Sequence, residues 1–135
     1  MKLYHNVVST CSQKVRLVLA EKNISYESEF LDLQRGDQFA LDYLKLNANA
    51  VVPTLEDGGR VYVESTLINE YLDDAYPEIA MKPADAAERH LMRHWCKRID
   101  DLHPACGVQT YAIAVRPALQ RRPVEEVTAL VDQIP

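Results

Sequence analysis

The feature that most constrains this chain is a turn near its N-terminus, where an apolar stretch gives way to an amphipathic one. Residues 2–8 are largely apolar and predict a strand, whereas residues 12–22 carry Val15, Val18 and Leu19 at the spacing of a helix face. Hydroxyl and thiol groups crowd the turn between them, at Ser9, Thr10, Cys11 and Ser12. A helix start offers unpaired N–H donors and a positive dipole end, which stabilise anionic sulfur. The turn therefore favours thiol chemistry, although a hydroxyl there is also a common N-cap.

The order of the predicted elements indicates an α/β domain over residues 1–78. Further strands are predicted at residues 24–30, 51–56 and 60–63, and further helices at residues 38–46 and 65–76. The alternation in residues 24–30 predicts a strand with one buried face. Asp57-Gly58-Gly59 is typical of a hairpin turn. The resulting order, β-α-β-α-β-β-α, predicts helices layered on a small mixed sheet.

The second half of the chain has a different pattern. Residues 79–83 are turn-rich and predict a linker, and residues 84–135 have no strand pattern. Leu91, Trp95 and Ile99 recur every four positions on a predicted helix over residues 84–101, which Pro104 and Gly107 are expected to interrupt; further helical pieces are predicted at residues 111–119 and 124–131. This all-α part is too short and too poor in apolar residues to close a bundle alone. We therefore expect an incomplete helical domain.

Composition narrows the classes of function. A net charge of −5 argues against a nucleic-acid-binding protein, and no apolar run approaches the ~20 residues of a membrane span. The N-terminus has no signal-peptide pattern, so we expect a cytoplasmic protein that does not associate with membranes. The three cysteines are expected to be free thiols, with Cys96 and Cys106 buried. His90 and His94 lie one helical turn apart, but no third ligand is placed, so no metal site is expected.

Two further motifs point to a peptide ligand. Pro53 interrupts a predicted strand, and a cis bond after Val52 would free the Val52 backbone to pair with an extended peptide. The alternative is a trans proline on an edge strand. Glu64 and Ser65 directly precede a helix, where they could hold the carboxylate and ammonium of an amino acid; the alternative is that Ser65 is an N-cap. A small peptide that carries a thiol would satisfy all three motifs.

Together these motifs resemble the glutathione transferase family, of the cytosolic type. The most specific stretches are residues 46–55 and residues 64–72, and residues 1–78 resemble the family's thioredoxin-like N-terminal domain. Residues 84–135 resemble the beginning of its helical C-terminal domain. The stretch Ser9-Thr10-Cys11-Ser12 is similar to the motif of zeta-type enzymes and of bacterial glutathione-dependent reductive dehalogenases, and Gln38-Phe39 also matches the zeta-type pattern.

The resemblance implies a role for each matching residue. Ser9 would donate a hydrogen bond to the glutathione sulfur, and Cys11 would be a second sulfur nearby. Val52, before a cis Pro53, would pair with the cysteinyl part of glutathione. The remaining contacts of the tripeptide would be made by Glu64 and Ser65 at the γ-glutamyl group and by Gln38 at the glycyl end. Val51 and Ala48 depart from the family pattern, which often has Lys or Gln and usually has Pro at these positions.

The resemblance also implies an enzyme, a glutathione transferase that activates the thiol of its co-substrate and transfers it to a small electrophile. A homodimer with a role in detoxification is expected. An alternative in the same chemistry is a glutathione-dependent isomerase or reductive dehalogenase that uses Cys11. An alternative of another class is a non-catalytic module that binds glutathione or a partner.

Overall fold

The computed structural model describes residues 1–134, which divide into one unit over residues 1–82 and a second that begins at Pro83. The first unit holds a four-stranded sheet with helices, and it confirms the thioredoxin-like α/β class. Its elements in chain order are β1 (Lys2–His5), α1 (Thr10–Glu21), β2 (Glu27–Phe30), a 3₁₀ turn (Asp37–Phe39), α2 (Leu41–Leu44), β3 (Thr54–Asp57), β4 (Arg60–Tyr62) and α3 (Ser65–Ala75).

The sheet has the strand order β2-β1-β3-β4. Strands β1 and β2 are parallel, with α1 as the crossover between them. Strand β3 runs antiparallel to β1, with Tyr4 opposite Thr54, and antiparallel to its hairpin partner β4. Gly58 and Gly59 form the hairpin turn with φ values of 55° and 75°, which glycine adopts without steric cost.

Apolar residues of α1, α3 and the two central strands form the main core. Its fully buried members are Leu3, Val15, Leu19, Leu55, Ile68 and Leu72. The two core residues of α1 are four positions apart, as are the two of α3, and this spacing keeps side chains on one face of a helix. Each such burial contributes about 1.5–3 kcal/mol, so this cluster fixes α1 and α3 against the sheet.

Strand β2 differs from the sequence-based expectation, because none of its residues is buried. It is an edge strand, and among residues 1–134 it pairs only with β1. Ile24 and Tyr26, which supplied much of the apolar alternation, precede the strand and pack half-buried against the main core. The prediction of one buried face on the strand was therefore wrong.

The second unit is helical in residues 83–134. It contains α4 (Ala86–Thr110), a π-helical segment (Tyr111–Val115), α5 (Arg116–Leu119) and α6 (Val124–Val131). The carboxylate of Asp85 caps α4 by accepting from the N–H groups of Ala87 and Glu88 at 2.9 and 3.0 Å. The expected interruption at Pro104 and Gly107 was wrong. A proline removes one backbone donor, and the many other hydrogen bonds of this 25-residue helix maintain it.

The thiols of the second unit also differ from expectation. Cys96 is half-buried and Cys106 is exposed, so neither is a buried core thiol. No residue of α4 is buried, and large apolar side chains on it are exposed. These include Leu91, Trp95, Ile99 and Leu102.

Candidate functional site

Sheet topology brings the predicted site segments to one end of the sheet, called the sheet edge below, where β1, β2 and β4 end and β3 begins. This is distinct from the outer strand position of β2. The parallel strands β1 and β2 end at the same edge, and the antiparallel β3 begins there. Strand β4 ends at that edge again, because it is antiparallel to β3. The segments that follow or precede these strand ends contain the predicted site residues, namely Ser9, Gln38, Val52, Pro53, Glu64 and Ser65.

Ser9 is the N-cap of α1. Its backbone is extended, with φ −68° and ψ 119°, and its Oγ accepts from the N–H of Ser12 at 3.2 Å. A hydroxyl that accepts through a lone pair still has a proton to donate. Ser9 is half-buried, and it can therefore act as a cap and donate to a ligand at the same time.

Cys11 lies in the first turn of α1 and is half-buried. Its thiol forms no disulfide. It stands two residues beyond Ser9, at the same positive end of the helix dipole. Both predicted catalytic residues therefore lie at one helix start.

The segment before β3 is built as the sequence predicted, because the Val52–Pro53 bond is cis. The Val52 side chain is buried in a small cluster with Leu31 and Tyr43. Its backbone N–H and C=O have no hydrogen-bond partner within residues 1–134. A main-chain donor and acceptor in this state can pair with an extended peptide in the manner of an added strand.

A buried polar network holds this segment in place. The hydroxyl of Tyr43 donates to the Val51 carbonyl at 2.6 Å and lies 2.8 Å from Thr54 Oγ1. Asn47 Nδ2 donates to the same carbonyl at 3.0 Å and to Thr54 Oγ1 at 3.1 Å. Burial raises the pKa of Tyr43, so the hydroxyl stays protonated as a donor. Sequence reasoning assigned no role to Tyr43 or Asn47, since both looked like ordinary positions of a short helix and its end.

Glu64 and Ser65 begin α3. Glu64 is exposed and has a φ of 67°, which is strained for a residue with a side chain. Ser65 is buried and is the first helical residue, so the alternative that it acts as an N-cap was wrong; Glu64 occupies the cap position. The hydroxyl and the first N–H groups of this helix lie at the sheet edge as possible donors to an anionic group.

A side-chain contact ties the two helix starts together. Lys14 Nζ donates to Thr66 Oγ1 at 2.6 Å. Lys14 lies in the second turn of α1, and Thr66 is the second residue of α3. The helix end that carries Ser9 and the helix end that carries Ser65 therefore lie side by side.

Gln38 lies in the 3₁₀ turn beyond β2 and is buried. Its Nε2 donates weakly to the Leu33 carbonyl at 3.4 Å, whereas its Oε1 is buried without a hydrogen-bond partner in the described part of the chain. An unpaired buried oxygen is costly, so a donor from a ligand would stabilise this arrangement.

Two further features of the described residues concern metal binding and membrane crossing. Among residues 1–134 no group of three or more His, Cys, Asp or Glu side chains could hold a metal ion. None of the helices described for the chain combines the length and apolar character that crossing a bilayer requires.

The chain belongs to the glutathione S-transferase family, because residues 8–75 match the family model for its N-terminal domain. It is 42% identical to glutathione S-transferase Z1 of Arabidopsis thaliana over 89 residues, which are 66% of this chain and 40% of that protein. It is 35% identical to Protein LigF of Sphingobium sp. over 130 residues, which are 93% of this chain and 50% of that protein. The chain thus spans about half the length of the curated relatives it matches.

Solved structures agree with this assignment. The crystal structure of the β-etherase LigF from Sphingobium sp. strain SYK-6 superposes with a TM-score of 0.89 at 32% identity, covering 99% of this chain and 57% of that one. The structure of maleylpyruvate isomerase, described as a bacterial zeta-class glutathione S-transferase, gives a TM-score of 0.66 at 34% identity over 70% of this chain and 44% of that one. The likeness to LigF therefore extends into the helical unit.

Proposed function

We propose that the protein is a glutathione transferase that activates the thiol of bound glutathione for attack on a small electrophile. Ser9 donates to the sulfur, the Val52 backbone beside Pro53 pairs with the cysteinyl unit, and Glu64 and Ser65 hold the γ-glutamyl group. Gln38 takes the glycyl unit, with its unpaired Oε1 as the acceptor for the glycyl amide N–H. The observation that carries the proposal is the unpaired Val52 backbone at the same sheet edge as the Ser9 helix cap.

The energetics of thiol activation are within reach of this site. A free thiol has a pKa of about 8.5, so only a few per cent is ionised near neutral pH. Lowering the pKa of the thiol by ~2 units requires about 2.7 kcal/mol of preferential stabilisation of the thiolate. A charge-assisted hydrogen bond from Ser9, about 1.5–3 kcal/mol, and the helix dipole, about 0.3–1 kcal/mol, together supply this amount. The thiolate then forms a carbon–sulfur bond, and the leaving group departs with the bonding electrons.

An ether is the substrate class that the comparisons favour. LigF, a relative that matches along both units at 32% identity, is named a β-etherase, whereas the matches to glutathione S-transferase Z1 and maleylpyruvate isomerase cover 66% and 70% of the chain. In this version the thiolate displaces an oxygen leaving group. The carbon–oxygen bond breaks, and the released alkoxide or phenoxide takes up a proton from water.

An isomerase is the second candidate, because several relatives carry that name, among them the maleylacetoacetate isomerase of Pseudomonas aeruginosa. In that reaction the thiolate would add to a conjugated double bond, rotation would follow, and elimination would return the thiolate. Glutathione would be recovered unchanged. The two candidates therefore differ in whether glutathione is consumed.

The oligomeric state and cellular location of the protein are part of the same proposal. We expect a cytoplasmic homodimer with a role in detoxification, and the exposed apolar side chains of α4, Trp95 among them, are consistent with a surface that a second subunit covers. The measurement is sedimentation velocity of the full chain. A monomer at micromolar concentration would contradict the dimer without affecting the site.

The experiment for the site itself combines binding and turnover. Calorimetry of the full chain with glutathione should give saturable binding, and Ser65→Ala should weaken it about tenfold, the effect of one hydrogen bond to a charged group. Cysteinylglycine lacks the γ-glutamyl group, and its affinity should not change in that variant. Absence of glutathione binding would overturn the proposal.

Turnover separates the candidate reactions. The full chain is incubated with glutathione and with aryl β-ethers or cis-configured conjugated diacids, and mass spectrometry follows the products. A glutathione thioether with a released alcohol supports transfer, and an isomerised acid with recovered glutathione supports the isomerase. Binding without any turnover would favour a non-catalytic module.

A further inference from the structure

A connection of four residues, Asn6 to Ser9, links β1 to α1 and decides where the Ser9 hydroxyl lies. Asn6 and Ser9 mark its ends, and Val7 and Val8 between them are exposed. Exposed valines provide little packing to fix the loop. Its conformation must therefore come from hydrogen bonds.

Asn6 makes the buried part of these hydrogen bonds. It is 5% exposed. Its Nδ2 donates to the Leu31 carbonyl at 2.8 Å, just beyond β2, and its Oδ1 accepts from the Val8 N–H at 3.0 Å. The second bond is an Asx turn, in which a side chain replaces a backbone acceptor two residues away. One side chain therefore anchors the loop to the sheet and shapes it.

The backbone of Asn6 completes the connection to α1. Its N–H donates to Ser12 Oγ at 3.3 Å, and Ser12 in turn donates its own N–H to Ser9 Oγ at 3.2 Å. Ser12 is fully buried, so its bond from the Asn6 N–H lies in a setting where hydrogen bonds are strong. The chain of contacts from Leu31 to Ser9 passes through Asn6 and Ser12.

We infer that Asn6 is a positioning residue for the thiol chemistry. It touches neither of the reacting groups assigned above, but it holds the loop so that the Ser9 hydroxyl caps α1 and directs its proton away from the helix. This inference rests on the proposed function for its catalytic consequence. The structural part, that Asn6 orders Val8 and the Ser9 cap, is independent of any ligand.

Alanine at this position removes both side-chain bonds, so Asn6→Ala should leave Ser9 present but misplaced. With glutathione bound, the ultraviolet absorbance of the thiolate should titrate about one pH unit higher than in the parent protein, and kcat should fall about tenfold with little change in KM. In a Ser9→Ala background the same substitution should have no further effect on the thiol pKa, because Asn6 acts through Ser9. An equal, additive effect in that background would overturn the inference.

Hydrogen exchange tests the structural part without glutathione. In Asn6→Ala the amides of Val8 and Ser12 should exchange at least about tenfold faster, whereas those of Ile68 and Leu72 in α3 should be unchanged. Unchanged exchange at Val8 and Ser12 would overturn the inference even if the protein proved to have no transferase activity. If wild-type protein binds no glutathione but the exchange pattern is as expected, the proposed function fails and the positioning of Ser9 by Asn6 stands.

Two variants complete the design. Asn6→Asp keeps an oxygen for the Val8 N–H and tests the Asx turn if the alanine variant fails to fold; Val8 should stay protected, and loss of that protection would count against the turn. It is judged on exchange alone, because a new carboxylate would itself raise the pKa of the thiol. The matched control is Gln13→Ala, which removes an exposed bond of 3.0 Å to the Val7 carbonyl of the same loop. It should leave exchange and the thiol pKa unchanged.

Discussion

The ammonium of Lys14 lies 2.6 Å from the hydroxyl oxygen of Thr66, and this hydrogen bond joins the first half of α1 to the first turn of α3. The main core holds the same two helices through Val15, Leu19, Ile68 and Leu72. Apolar packing fixes their separation, whereas a directional polar bond fixes their relative register along the axes. The register matters because each helix start carries one part of the proposed glutathione site.

The first prediction concerns this contact. Lys14→Met keeps the aliphatic stem and removes the donor, so the two helix starts should become less well aligned. We expect KM for glutathione to rise about three- to tenfold, since a part-exposed charged hydrogen bond contributes about 1 kcal/mol. Steady-state kinetics with glutathione as the varied substrate provides the measurement.

Lys45→Met is the control for the loss of a positive charge. Lys45 pairs with Asp42 at 2.6 Å on an exposed surface. Its loss should change neither KM nor stability measurably. Equal effects of the two substitutions would mean that net charge, and not the contact with Thr66, governs binding.

The second prediction separates the two candidate catalytic residues. Ser9→Ala should reduce the rate of conjugation about 10–100-fold, the size of one charge-assisted hydrogen bond to the thiolate. Cys11→Ala should cost little, because a thiol is a weak donor and its thiolate would oppose a second anion. For a reductive reaction through a mixed disulfide the order should invert. Measuring the rates of both variants on one substrate shows which residue dominates. Full activity in both variants would exclude this helix start as the catalytic centre.

The third prediction concerns the network behind Val52. Tyr43→Phe removes the hydroxyl that donates to the Val51 carbonyl and contacts Thr54, while Asn47 retains its bonds to both. The free energy of unfolding should fall by about 1 kcal/mol, and the Kd for glutathione should rise severalfold. Urea denaturation and calorimetry measure the two effects.

Tyr26→Phe is the matched control for Tyr43→Phe. It deletes a hydroxyl that makes no hydrogen bond within the described residues and keeps a ring that packs against the main core. Both quantities should stay within error of the parent protein. A Tyr43→Phe variant that behaved like this control would show that Asn47 alone holds the segment.

The sequence predicted the fold well where local chemistry decides it. The Ser9 turn, the Gly58-Gly59 hairpin and the cis bond before Pro53 each depend on residue types at adjacent positions. Prediction failed for features that depend on interactions summed over a whole element or on its place in the sheet. The exposure of β2 depends on its place at the sheet edge, and the continuity of α4 past Pro104 depends on the sum of its other hydrogen bonds.

Part of the site was also beyond sequence reasoning. Asn6, Tyr43 and Lys14 act through partners that are distant in sequence or on another element, such as Leu31, 25 residues from Asn6. An asparagine at a strand end and a lysine on a helix are common, so the residue type alone did not predict a role for either. Only the topology, which brings four strand ends together, places these side chains beside the segments of the proposed site.

The fourth prediction concerns the ion pair of Lys22 and Asp73, whose side chains are 1% and 5% exposed and 2.8 Å apart. Asp73 also accepts from the N–H groups of Met81 and Lys82, and Lys22 donates to the Ile79 carbonyl. Asp73→Asn leaves a buried ammonium without its counter-ion and should lower the free energy of unfolding by about 3–5 kcal/mol.

The matched control is Asp74→Asn at the neighbouring position. Asp74 is exposed and pairs with Lys82, so its loss should cost no more than about 1 kcal/mol. Urea denaturation of the three proteins provides the comparison. Similar losses in both variants would show that the buried pair contributes no more than a surface one.

The last prediction is the pH dependence of that difference. Burial alone would raise the pKa of Asp73, but the hydrogen bonds from Lys22 and from the Met81 and Lys82 amides outweigh it and hold the pKa below its ordinary value. A carboxylate whose pKa is depressed by folding stabilises the native state above the unfolded-state pKa of about 3.9, and this stabilisation is lost as the pH falls through the folded-state value. The stability gap between the parent protein and Asp73→Asn should therefore be full well above about pH 4 and shrink as the pH falls below that value, toward the depressed folded-state pKa. Urea denaturation across this range measures the gap. The pH-dependent contributions of the other carboxylates cancel in this difference, because both proteins contain them. A gap that stays constant down to the lowest pH would mean that folding does not depress the pKa of Asp73.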